Sequence, residues 1–216
     1  MQLYKKKGLL EYFRQKFRAI DFANVVNSIE INKKLKLLNC NKSTLFEFGP
    51  GSTPLYTEKL EFFSDIRYID EFYYDNSGIP IDKFIRLNLE NGDLSYLKQI
   101  ILNCDGRAVV FSDHCFEHIN GERLINILQL FDSLNCVVVF RVPNILSRKG
   151  YSNYISDATH KNNFNHDYRN KLINMNYSII PWIRFYHTEI FYKFLGHNIK
   201  YKDIASEILV YKYPNK

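Results

Sequence analysis

The hexapeptide Glu47-Phe48-Gly49-Pro50-Gly51-Ser52 constrains this chain more than any other stretch. It follows the apolar run Thr44-Leu45-Phe46 and precedes Pro54, a residue suited to the first turn of a helix. A strand that ends in an acidic residue and two closely spaced glycines brings bare backbone up to a ligand. The helix beyond it turns unpaired N–H groups and the positive end of its dipole to the same spot. The expected fold is α/β, with a nucleotide-like cofactor held at the end of the first strand.

From Ser43 onward the pattern alternates as an α/β domain does. Strands are expected at Thr44–Phe48, Ile66–Ile69, Lys83–Leu89, Ala108–Phe111 and Cys136–Val142. Helices are expected from Pro54 to Phe63, near Leu94–Asn103 and from Glu122 to Leu134. Val137-Val138-Val139-Phe140 is unbroken and apolar, as a central parallel strand covered on both faces would be. The Asn- and His-rich segment Ser147–Asp167 is expected to be a long loop, the kind that carries function. The last third offers a helix near His166–Met175 and a strand at Tyr177–Trp182. A helix near Thr188–Leu195 and a final strand at Glu207–Tyr213 follow.

Upstream, Leu9, Phe13, Phe17 and Ile20 recur at helical spacing between basic residues. This stripe reads as a cap packed on the core, or as a helix lying on a membrane surface through residues 1–20. With no repeat or Gly/Ser linker, the 216 residues are expected to divide into a helical cap (1–42) and one α/β domain (43–216).

No run approaches the roughly 20 apolar residues of a membrane span, and no secretion signal precedes the first helix. The four cysteines lack CxxC or zinc-ribbon spacing. A reduced, cytoplasmic protein is expected. The net charge of +6 suits nucleic acid, phosphorylated substrates or an anionic membrane, and by itself selects none of them.

Nothing matches the GxxxxGK[ST] phosphate loop, and Pro54 stands where a dinucleotide GxGxxG turn needs its third glycine. The remaining pattern, an acidic residue followed by GxG, resembles motif I of class I S-adenosylmethionine-dependent methyltransferases. The resemblance runs from about Leu45 to His160. It implies a Rossmann-like, mostly parallel sheet with helices on both faces. It also implies S-adenosylmethionine as cofactor, with Glu47, Gly49, Gly51 and Ser52 beside its methionine part. Thr53 departs from the family, where many members carry a third glycine. Asp70, nineteen residues after Gly51, matches the carboxylate that grips the ribose hydroxyls. Asn88 and Leu89 stand where family members often carry Asp-Leu or Asp-Ala, so the resemblance implies a place beside the adenine, with Asn replacing Asp. Asp113-His114-Cys115-Phe116-Glu117-His118 is similar to the segment where cofactor and substrate meet. Pro143-Asn144 followed by Asp157-Ala158-Thr159-His160 resembles the PN…D-x-T-H arrangement of bacterial members.

Methyl transfer to a hydroxyl benefits from a base that takes its proton. Imidazole titrates in the right range, so His114, His118 and His160 are the candidate catalytic residues. The leading expectation is O-methylation of a sugar, glycan precursor or other small molecule. Two alternatives stand beside it. His114-x-x-Glu117-His118 with His160 resembles the E-x-x-E-H plus His set of metal-dependent RNA 2′-O-methyltransferases, His114 replacing the first Glu. The other is a catalytically idle methyltransferase-like module that binds a partner through its basic N-terminal helix.

Overall fold

Buried β-branched and aromatic runs become strands, and polar stretches with Asp, Asn or Ser at their start become helices. The structure, a computed structural model, describes residues 25, 29–30, 33–34, 42–52, 54, 63–75, 77–182 and 206–214. Its strands are β1 (Ser43–Phe48), β2 (Asp65–Asp70), β3 (Phe84–Arg86), β4 (Arg107–Asp113), β5 (Val137–Pro143), β6 (Ser178–Trp182) and β7 (Glu207–Lys212). Its described helices are α1 (Leu94–Leu102), α2 (Gly121–Ser133), α3 (Arg148–Ile155) and α4 (His166–Asn174). Each starts on a side chain that accepts a backbone N–H of its first turn: Asp93, Asn120, Ser147 and Asn165.

The strands form one sheet in the order β3-β2-β1-β4-β5-β7-β6. β1 to β5 run parallel, and β7 runs antiparallel between β5 and β6. Successive residues face opposite sides. Phe46, Phe48, Val110, Val138 and Phe140 pack against Leu97, Leu124, Leu128, Phe131 and Leu172 of the helices. Leu45, Val109, Phe111, Val137, Val139 and Leu209 build the other side, together with Val25 and Ile29. After β1 the chain builds outwards through β2 and β3, and then returns to lay β4 on the other side of β1. That reversal opens a crevice at the strands' C-terminal ends, where open α/β sheets bind ligands.

Two sequence expectations are corrected. The strand expected over Lys83–Leu89 spans three residues. Lys83 belongs to a 3-10 turn (Ile81–Lys83), and Asn88 closes a tight turn by accepting the Gly92 N–H at 2.6 Å. The long segment after β5 is not all loop, since Ser147 caps α3 within it. The helices expected at Pro54–Phe63 and Thr188–Leu195, and most of the 1–42 cap, lie outside the described residues. No helix among the described residues is long and apolar enough to cross a membrane.

Candidate active site

The glycine turn sits at the end of β1. Gly49 and Gly51 both hold positive φ (65° and 56°), a region L side chains enter only with strain. Their surroundings differ. A Cβ on Gly49 would lie 2.4 Å from Cys115 Cβ and 2.5 Å from its Sγ, so this glycine lets the chain after β4 close on the turn. Among the described residues a Cβ on Gly51 would meet nothing within 4 Å. The open space expected of a cofactor cradle is therefore at Gly51, and the close approach at Gly49 is made by Cys115. Asp70, at the end of β2, accepts the Gly51 N–H at 3.2 Å and the Phe72 N–H at 3.3 Å. It braces the turn and, as a carboxylate, keeps lone pairs for a ligand. Glu47 is fully buried in β1, and Ser52 is half-buried at the turn.

The adenine-side expectation fares differently. Asn88 Oδ1 accepts the Asn91 N–H at 2.9 Å, so it meets an adenine amino group only through its second lone pair. Leu89 is part of the core. Asp113 is likewise engaged within the chain. Arg141 of β5, 1% exposed, donates to its Oδ1 from Nε at 3.1 Å, and its Nη2 lies 2.8 Å from Oδ2. This is the bidentate fork for which guanidinium is suited.

Beyond Asp113 the backbone turns sharply. His114 holds φ 56°, an observed strain of the kind that concentrates at functional sites, while its N–H donates to the Arg141 carbonyl at 3.1 Å. Its Nδ1 is 2.9 Å from Glu117 Oε1, and its Nε2 is 3.1 Å from Glu207 Oε1. Burial alone would push the His114 pKa down. The charge of Glu207 and the hydrogen bond to Glu117 outweigh it and push the pKa up to about 10. Held protonated, His114 has no lone pair with which to accept a proton. Asp113, Glu117 and Glu207 thus face Arg141 and the His114 imidazolium in one buried network.

The segment after α3 folds onto this network because Lys161 N–H and Asn162 N–H both donate to the Glu117 carbonyl, at 2.8 and 3.0 Å. His160 is brought beside His118, their ring centroids 4.7 Å apart. The His160 ring stacks on Tyr154, and its Nδ1 is 2.8 Å from the Tyr154 carbonyl oxygen. A carbonyl can only accept, so Nδ1 carries the proton and Nε2 keeps its lone pair. That Nε2 lies 3.9 Å from Glu117 Oε1 and 3.8 Å from Asp157 Oδ2. Hydrogen bonds from the Thr159 hydroxyl and N–H hold the Asp157 carboxyl below its usual range.

His114, His118 and His160 therefore meet around Glu117, at one wall of a cavity of about 640 Å³. Lys149 and Asn153 of α3 line the same cavity, as does Glu207. Ligating atoms of Glu117, His118 and His160 all lie within 4.8 Å of one another. Sequence reasoning missed Arg141 and Glu207. A charge inside the apolar run of β5 was a legible sign for the first. Glu207 reaches the site only through the pairing of β7 with β5, opposite Pro143.

Comparison with solved structures fixes the fold. A SAM-dependent methyltransferase from Archaeoglobus fulgidus superposes with a TM-score of 0.55 over 94% of this chain and 99% of its own, at 15% identity. The fold is that of the class I methyltransferases. The plantazolicin methyltransferase BamL, solved with SAH and a triazolic desmethylPZN analog, matches this methyltransferase fold with a TM-score of 0.51. The match covers 95% of this chain and 90% of BamL, at 14% identity. The methyltransferase domain of bacterial CtHen1-CN matches with a TM-score of 0.50 over 93% of this chain and 98% of that domain, at 15% identity. No family model matches the sequence, and no curated protein does either.

Proposed function

We propose that this chain is an S-adenosylmethionine-dependent methyltransferase acting on a hydroxyl of a small-molecule or glycan acceptor, with residues 43–216 as its catalytic domain. The observation that carries this reading is a juxtaposition across the sheet's reversal point. The open Gly51 turn, braced by Asp70, stands at the end of β1, and the Glu117 cluster stands beyond the end of β4. Gly49, Gly51, Ser52 and Asp70 would hold the cofactor, which supplies an electrophilic methyl group on a sulfonium. Among the histidines, His160 is the best base. Its Nε2 lone pair is fixed by the Tyr154 bond, beside the Glu117 carboxylate. His114 acts as a fixed cation that keeps Glu117 and Glu207 in place. The cavity walls, Lys149 and Asn153 included, orient the acceptor and exclude water.

Calorimetry with S-adenosylhomocysteine tests the reading directly: a folded chain that binds none of it is not this enzyme. His160→Ala should leave that affinity unchanged and slow methyl transfer by about 10²–10⁴-fold, the usual reach of a general base. Full affinity with no turnover of any acceptor favours the idle-module alternative.

A specific observation favours a second reading. Among the described residues Glu117 Oε2 is buried without a hydrogen-bond partner, and a carboxylate oxygen of Glu117 lies within 4.8 Å of a ring nitrogen of His118 and of His160. Two imidazoles and a carboxylate are the donor set of a divalent transition ion, so the residues present fit one. Bound there, such an ion would polarise the acceptor oxygen as a Lewis acid. This reading joins the RNA 2′-hydroxyl alternative, and the small RNA methyltransferase HEN1 shares the fold with a TM-score of 0.50, at 14% identity. Zinc or manganese titration decides it. Wild type should bind the ion, Glu117→Gln should not, and methylation of short RNA should stop with chelator.

A further inference from the structure

We infer that Thr159 is a positioning residue that fixes which nitrogen of His118 carries the proton in the neutral ring. This rests on the methyltransferase reading for its purpose but not for its geometry. The Thr159 hydroxyl has a single proton and two neighbours. Its Oγ1 is 2.5 Å from Asp157 Oδ1 and 2.8 Å from His118 Nδ1. Asp157 is ionised at neutral pH and can only accept, and its Oδ1 also takes the Thr159 N–H at 2.9 Å. The hydroxyl proton is therefore committed to Asp157. Towards His118 the oxygen has only lone pairs to offer, so Nδ1 must carry a proton.

In the neutral ring this leaves Nε2 bare. His118 is then presented in the same tautomer as His160, whose Nδ1 proton goes to the Tyr154 carbonyl. Two separate devices, a backbone carbonyl and an oriented hydroxyl, leave Nε2 bare on two neutral rings whose centroids are 4.7 Å apart. The arrangement serves a base and a metal ligand equally, because both need an unprotonated nitrogen at a fixed place. It also joins Asp157 and Thr159 in one relay, in which the carboxylate orients the hydroxyl and the hydroxyl orients the ring. Thr159 is itself exposed, so its side chain adds nothing to the core.

Nitrogen-15 correlation spectra of the histidine rings in the full chain test this, with His118 assigned through His118→Gln. Wild type and Thr159→Ser should show His118 protonated at Nδ1 with a bare Nε2. Thr159→Val should lose that preference. Asp157→Ala, which frees the hydroxyl to donate to Nδ1, should shift the ring to the Nε2–H form. In turnover, Thr159→Val should lose about 10–100-fold in kcat with cofactor affinity unchanged, and Thr159→Ser should restore it. An Nε2–H ring in wild type, or a Thr159→Val spectrum identical to wild type, overturns the inference. Spectra as expected in a chain that transfers no methyl group leave the positioning intact and sink the enzymatic reading instead.

Discussion

Gly49 and Gly51 share a backbone conformation but not a reason. At Gly49 any side chain meets both the left-handed backbone and the Cβ and Sγ of Cys115, whereas at Gly51 it meets the backbone cost alone. Gly51→Ala should therefore cost about 1–2 kcal/mol of stability. Gly49→Ala should cost more, about 2–4 kcal/mol, because Cys115 must also move. Urea denaturation of the two variants checks the order, and equal losses would contradict the packing role of Cys115. The turn itself was legible because its chemistry is local. What surrounds it was not, since the contact of Cys115 with Gly49 crosses 66 positions of sequence and follows from the pairing of β1 with β4. The same holds for the histidines. Their residue types marked them as candidates, but the raised pKa of His114 owes its largest favourable part to Glu207, on a distant strand.

Among the elements, long apolar runs were the most legible. β1, β4 and β5 lie where the longest apolar stretches put them, because a strand buried on both faces shows few polar positions to disguise it. α3 was not legible. Arg148-Lys149-Gly150-Tyr151-Ser152-Asn153-Tyr154-Ile155 has weak helix formers and buries only Gly150. The helix is placed by that glycine: a Cβ there would meet Asn144 O at 2.1 Å and Ser206 O at 2.6 Å, both backbone atoms. Gly150→Ala should push α3 off the ends of β5 and β7, at a cost of about 1–3 kcal/mol, and should distort the cavity wall carrying Lys149. A variant with unchanged urea midpoint would show that α3 is held some other way. At the opposite end of the sheet, Asp65 opens β2 and pairs with Lys83 and with Arg67, the latter at 2.6 Å. Burial raises its pKa, but these two cations outweigh it and hold the carboxyl below its usual range. With the folded pKa depressed, the pair's contribution exists above the unfolded value and fades as pH falls through the folded one. Asp65→Asn should thus cost up to about 1 kcal/mol at neutral pH, and the difference from wild type should vanish in strong acid. Denaturation midpoints across that range decide it.

At the largest scale, the described residues form a parallel sheet of five strands with an antiparallel addition. β7 pairs with β5 over six residues and carries Ile208, Leu209 and Val210 into the core, with β6 outside it. A chain ending at Ser206 should lose cooperative unfolding altogether, since β5 would present a bare apolar edge and Arg141 and His114 would lose Glu207. Circular dichroism melts would reveal a surviving transition if the parallel half stands alone. β7 also has a consequence in time. All three histidines, the glycine turn and Asp70 have been synthesised before it, yet the charge that settles His114 arrives only with Glu207. A growing chain therefore carries the other groups of the proposed centre before it carries Glu207. On the proposed reading, Glu207 is thus the last of these groups to be made, and it enters the site with the strand that completes the pairing of β5.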